Sequence, residues 1–215
     1  TRNDFIQDWG RGRAALNVKL SKEKFQRHPY EPCYLYESGI RPLEQYPVRG
    51  VIWYQGESNA HNCEAHEKLF KLLVGSWRKN WKNEDLPFYY VQLSSIARPS
   101  WPWFRDSQRR MMAEIPNTGM AVSSDYGDSL DVHPRNKKPV GERLGRWALN
   151  KTYGMHDVLP SGPLFCRADF CEDVVYVTFD YGKGLKSSDG GPLRTFEVAE
   201  TDGVYYPAVA EIING

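Results

Sequence analysis

Apolar and polar positions follow one rhythm through the middle of this chain and another near its end. Residues 50–60 read GVIWYQGESNA: Val51, Ile52, Trp53 and Tyr54 form a continuous apolar run, which predicts a buried strand over 50–54. It stops at Gln55, Gly56, Glu57, Ser58 and Asn59, a dense set of hydrogen-bonding groups. In EAHEKLFKLLVGSWRKNW (64–81), Leu69, Leu73, Trp77 and Trp81 recur every fourth residue with Phe70 and Val74 beside them, the stripe of an amphipathic helix. PFYYVQLSS (87–95) predicts a second strand, and WFRDSQRRMMAEI (103–115) a helix stopped by Pro116. TGMAVSSD (118–125) predicts a third strand, followed by a loop (126–138) and the helix VGERLGRWALNKTY (140–153). Beyond Pro160 the period changes to two in DVVYVTFD, TFEVAE and VYYPAVAEII, between Gly-rich turns. Residues 1–47 are broken up by Gly and Pro, with SKEKFQR as a short helix.

Strand–helix units with near-continuous apolar strands argue for an α/β fold, a parallel sheet covered by helices. Ligands of such sheets bind beyond the carboxyl ends of the strands. The polar clusters Gln55–Asn59, Ser94–Ser95 and Ser123–Asp128 fall at those ends. Residues 1–158 are therefore expected to form the α/β domain and 159–215 part of an antiparallel β domain.

Composition narrows the partners. The 215 residues carry a formal net charge of +1, which leaves no bulk electrostatic case for nucleic acid or an anionic membrane. No stretch reaches the ~20 apolar residues of a membrane span, and the polar N-terminus is not a signal peptide. Thr1 is not a translation start, so an upstream portion is expected. Of the four cysteines, Cys166 and Cys171 flank RADF; they either meet across a turn in an oxidising compartment or remain, with Cys33 and Cys63, free and mostly buried. His61, Cys63 and His66 lie close together, but their spacing matches no common zinc pattern and lacks a fourth ligand.

SLDVHPRNK holds the best catalytic candidate. His133 follows the third strand, with Asp131 two residues and Asp128 five residues before it, and Pro134 disfavours helix at the histidine. A carboxylate beside an imidazole fixes its tautomer while the other ring nitrogen takes a proton from a hydroxyl. WYQGESNA supplies the complement: the Gln55 amide suits an oxyanion, Gly56 permits a sharp turn, and Glu57 and Asn59 brace the loop. Ser58 invites a nucleophile reading through G-x-S. A nucleophile elbow, however, wants Gly at position 60, where Ala stands, and a helix directly after the serine.

Taken in order, GVIWYQGESNA, SWRKNW, LPFYYVQLS, RDSQRRM, NTGMAVSSDYGDSLDVHPRNKKPVGERLGRWAL and SGPLF resemble the sialate O-acetylesterases, in the carbohydrate-esterase branch of the SGNH hydrolases, over roughly residues 35–210. The resemblance implies a three-layer α/β/α flavodoxin-like domain with an associated β domain, and removal of O-acetyl groups from a sugar such as sialic acid, without a cofactor or metal. It implies Gln55 as side-chain oxyanion donor and His133 as base. The wider superfamily places its Asp three residues before the His, where Leu130 stands, so Asp131 is the substitute. Arg105 is a candidate clamp for a sugar carboxylate, with Glu57 and Asn59 as further substrate contacts. No GQSN-type nucleophile block occurs in residues 1–49, where the serines are Ser21 and Ser38 and only WGRGR could be a remnant of the second block. The chain is thus expected to be a fragment completed by an upstream segment or a partner chain. Relatives acting on glycans are usually periplasmic or secreted, and the resemblance implies that location for this chain. The alternatives are an acetylxylan esterase and a non-catalytic sugar-binding module stacking sugars on Trp53, Trp101 and Trp103.

Overall fold

Apolar runs flanked by chain-reversing loops produce three short parallel strands in this computed structural model, which describes residues 33–213. They are β1 (Val51–Trp53), β2 (Phe88–Val91) and β3 (Thr118–Ala121), hydrogen-bonded in parallel in that order. In register, Val51, Phe88 and Thr118 lie side by side, as do Ile52, Tyr89 and Gly119, and Trp53, Tyr90 and Met120. Parallel neighbours need crossovers, and helices α1 (Cys63–Asn80) and α2 (Trp101–Glu114) supply them. Helix α3 (Lys138–Trp147) follows β3 and runs on into a π-helical turn, Ala148–Thr152.

Alternation along the strands sends Val51, Phe88, Tyr90 and Met120 to one face, where they pack with Phe70 and Val74 of α1, Met111 of α2 and Ile115. Burying each such side chain contributes about 2 kcal/mol. The opposite face belongs to α3. Trp147 stacks on Tyr89, with ring centroids 6.1 Å apart, and its Nε1–H donates to the Met120 carbonyl at 3.0 Å. Gly119 is what lets that indole approach, since a Cβ there would lie 2.4 Å from its ring. Ile52, on the same face, remains 67% exposed.

Two details depart from the sequence pattern. The fully buried column of α1 is Ala65, His66, Phe70 and Val74, one residue round from the Leu69–Leu73–Trp77–Trp81 stripe, whose members are only half-buried. A pattern weighted by large apolar side chains passes over a histidine that faces inward. Helices α2 and α3 each begin earlier than expected, with Pro102 and Pro139 in their first turns, where a missing N–H is no loss.

The described residues divide into two units, one ending at Ala148 and the other starting at Leu149. The second contains an antiparallel hairpin of β4 (Leu164–Cys171) and β5 (Val174–Asp180), and a small pair, β6 (Glu197–Ala199) and β7 (Tyr205–Pro207). Strand β4 corrects the cysteine reading. Five residues along a strand separate Cys166 from Cys171 by roughly 16 Å, far beyond disulfide reach. All four cysteines are free, but Cys33, Cys166 and Cys171 are exposed and Cys63 half-buried, not the buried thiols expected. Among the described residues no helix is long and apolar enough to cross a membrane. The expected SKEKFQR helix, Ser21 and WGRGR lie outside the described residues.

Candidate active site

Strand β1 ends in a turn whose path depends on glycine. Gly56 has φ +143°, a conformation that side chains strongly disfavour, and leads into a 3-10 turn, Glu57–Asn59. Gln55, just before it, is exposed, and among the described residues its amide has no hydrogen-bond partner. Glu57 folds back so that its Oε2 accepts the Gly56 N–H at 3.0 Å. The Asn59 amide turns toward the core, with Nδ2 3.3 Å from His66 Nδ1. Asn62 then caps α1, its Oδ1 accepting the Ala65 N–H at 3.0 Å.

Beyond β3, Asp125 makes a two-point pair with Arg143 of α3, both contacts at 2.6 Å, and Arg143 also donates to the Val122 carbonyl at 2.7 Å. That guanidinium holds the Asp125 carboxyl below its ordinary value and commits it to anchoring the strand end. Asp128 Oδ1 accepts the Leu130 and Asp131 N–H groups at 2.8 and 3.3 Å. Asp131 Oδ1 in turn accepts the His133 N–H at 2.9 Å and lies 3.1 Å from His133 Nδ1. The His133 backbone N–H, ahead of its ring, lowers the Asp131 carboxyl below the usual carboxylate range. His133 is in an irregular loop with its side chain 84% exposed, so the carboxylate occupies one ring nitrogen and the other is accessible.

These two segments meet. Val132, next to His133, packs with Tyr54 against the cluster of Ala60, Leu93, Trp101 and Phe104. A cleft of about 430 Å³ is lined by Glu57, Ser58 and His61 after β1, Arg98 and Trp101 after β2, and Val132 after β3. All three carboxyl ends of the sheet therefore contribute, as open α/β sheets require of a ligand site. Gly127 seats the His133 loop directly on Ser95, whose N a Cβ would approach to 2.4 Å.

The expected residues do not all face this cleft. Glu57 lines it, but Asn59 is directed at His66, and neither Gln55 nor His133 lines it: Glu57 and Ser58 do so two and three residues after Gln55, and Val132 directly before His133. Arg105 does not line it: half-buried on α2, it donates from Nη2 to Gln92 Oε1 at 3.2 Å while Gln92 Nε2 donates to its carbonyl at 2.8 Å. Burial lowers the Arg105 pKa. The cleft cation is Arg98, its guanidinium 5.6 Å from the Trp101 ring centroid. It sits in the loop directly after β2, so the carboxyl-end rule that singled out Gln55 could have found it. Of the tryptophans proposed as sugar platforms, Trp101 is 2% exposed with its Nε1–H donating to the Ser94 carbonyl, and Trp53 packs edge-on against Trp77. Only Trp103, 61% exposed, has its ring in solvent. His61 lines the cleft whereas His66 faces the core, so the two do not share a ligand position.

A family model described as carbohydrate esterase, sialic acid-specific acetylesterase, matches residues 13–150. Rat sialate O-acetylesterase is 29% identical over 189 residues, covering 77% of this chain and 34% of that protein. The human sialate O-acetylesterase is 30% identical over 186 residues, covering 74% and 36%. The crystal structure of a carbohydrate acetylesterase from Xanthomonas citri matches with a TM-score of 0.77 and 36% identity, over 83% of this chain and 43% of that one. The chain spans about a third of the length of the curated relatives it matches.

Proposed function

The chain belongs to the family of sialic acid-specific carbohydrate acetylesterases, and we propose that it carries the base and oxyanion half of a site that removes O-acetyl groups from sugars. The observation that carries this reading is the shared cleft, whose lining draws on the turn after Gln55, through Glu57 and Ser58, and on Val132, the residue before the carboxylate-braced His133.

In this mechanism a serine hydroxyl attacks the acetyl carbonyl, and the accessible Nε2 of His133 takes its proton. Asp131 holds the proton on Nδ1 and stabilises the imidazolium that forms. Gln55 donates an amide N–H to the oxyanion of the tetrahedral intermediate. Collapse breaks the bond to the sugar oxygen, which receives the proton back from His133, and water then releases acetate by the same route. The attacking serine is that of a GQSN-type block rather than Ser58. Ser58 lies in the 3-10 turn and opens no helix, since α1 starts only at Cys63. Arg98, standing on Trp101, is suited to an anionic group on the sugar, which favours sialic acid over a neutral xylan. No metal or cofactor takes part, and the site acts outside the cytosol, in the periplasm or after secretion.

The test is acetate release from O-acetylated sialic acid and from acetylated xylo-oligosaccharide, using this chain and the product of its whole open reading frame. The expected result is release by the latter, falling at least a hundredfold in His133→Ala. No release from either sugar by either protein would overturn the proposal.

A further inference from the structure

His66 touches both ends of the turn that follows Gln55. Its imidazole is 3% exposed, with the ring centroid 4.6 Å from that of Phe104 and 6.0 Å from that of Phe70. At one end of the turn, a Cβ on Gly56 would lie 3.2 Å from His66 Cε1 and 3.2 Å from Phe104 Cζ, so the glycine backbone rests on these two rings. At the other end, His66 Nδ1 lies 3.3 Å from Asn59 Nδ2. A leucine or phenylalanine would fill this place without the penalty of burying a polar ring. What a hydrocarbon cannot do is accept the Asn59 N–H.

We propose that His66 is the positioning residue of this site: an uncharged imidazole that fastens Asn59 from the core side and floors Gly56, fixing the turn that directly follows Gln55 and so the direction of its amide. The positioning role rests on the assignment of Gln55 as oxyanion donor, whereas the fastening of the turn does not.

The surroundings keep the ring uncharged. Burial lowers its pKa to about 4, and the opposing influence is Glu67, its neighbour on α1. Glu67 is itself held by Ser107 Oγ at 2.7 Å and by Arg110. From the turn, the Glu57 carboxylate is directed at the Gly56 N–H, and Phe104 of α2 carries no charge. A proton on Nδ1 would set an N–H against the Asn59 amide and place a charge between aromatic rings.

The test compares His66→Leu with His66→Asn, which share the same number of side-chain heavy atoms and the same branching; in the second, Oδ1 takes the branch position of Nδ1 and restores an acceptor. In the full-length enzyme, His66→Leu is expected to lower kcat by about tenfold with KM within twofold, and His66→Asn to recover much of that loss. In the wild-type protein, the Gly56 backbone and Asn59 side-chain amide resonances should titrate together with the His66 ring below pH 5. In His66→Leu that titration should vanish. Amide signals blind to His66, equal losses in the two variants, or undiminished kcat in His66→Leu would each overturn the positioning role. Co-titrating amides in a wild-type protein that releases no acetate would uphold the fastening and overturn the esterase reading instead.

Discussion

Lys137 lies over the ring of Tyr54, its ammonium 4.5 Å from the ring centroid and 3.4 Å from the hydroxyl, although 83 residues separate the two. This contact ties the loop after His133 to the strand end before Gln55. An exposed cation–π pair of this kind contributes only about 0.5–1 kcal/mol, so the junction depends equally on Val132 and Tyr54 sharing one apolar cluster.

Removing the Gln55 amide tests the proposed oxyanion role. Gln55→Ala is expected to lower kcat of the full-length enzyme about a hundredfold or more, the effect of losing an oxyanion donor worth ~3–4 kcal/mol. His133→Ala should cost a comparable factor, and Asp131→Asn, which misplaces the tautomer, at least about tenfold. A change under threefold in Gln55→Ala, measured by acetate release, would remove it from the mechanism.

Gly127→Ala tests how the His133 loop is seated. The added Cβ would meet Ser95 backbone atoms at 2.4–2.8 Å, and backbone cannot swing aside as a side-chain tip can. The expected outcome is a loss of about 1–3 kcal/mol in urea unfolding, with activity falling further than the unfolded fraction explains. An unchanged unfolding midpoint would mean that the loop is not seated there.

Gly119→Ala probes the opposite face of the sheet, where the Cβ would lie 2.4 Å from the Trp147 ring. Destabilisation by about 1–3 kcal/mol is expected, because the indole must leave Tyr89 and its bond to the Met120 carbonyl. Trp147→Leu in the same background should recover part of the loss in thermal unfolding.

Arg98→Ala should narrow the preference for an O-acetylated sialic acid over its methyl ester by about tenfold in kcat/KM, the scale of one charge-assisted contact. Arg105→Ala, away from the cleft, should leave that preference as it is. Equal preference in wild type and Arg98→Ala would refute the anionic subsite.

The buried His66 makes stability depend on pH in a defined direction. Its folded pKa of about 4 lies below the ordinary histidine value of 6.5, so between these values the unfolded chain binds the extra proton. Its contribution is complete above about pH 6.5 and is lost as the pH falls toward 4, an effect of order 2–3 kcal/mol. Denaturant midpoints from pH 7 to 4 should drop more steeply in the wild type than in His66→Leu. Parallel curves would show that His66 is not buried uncharged.

The strand–helix order was legible because the apolar runs at 51–54 and 88–91 and the four-residue spacing of α1 are local patterns. The polar residues at the strand ends were legible for the same reason. His66 was not, and Arg98 was legible only by its place after a strand end. An inward histidine interrupts an apolar stripe, and an arginine in a loop looks like any solvated cation until its neighbours are placed.

By itself, the sequence determined the elements, their parallel pairing and the residue types gathered at one end of the sheet, since these follow from backbone periodicity and the side-chain inventory. Tertiary structure alone decided which of those groups share a cleft, because contacts across tens of residues depend on packing: Arg98 and not Arg105, Asn59 turned inward, and Cys166 held apart from Cys171 by the strand that contains both.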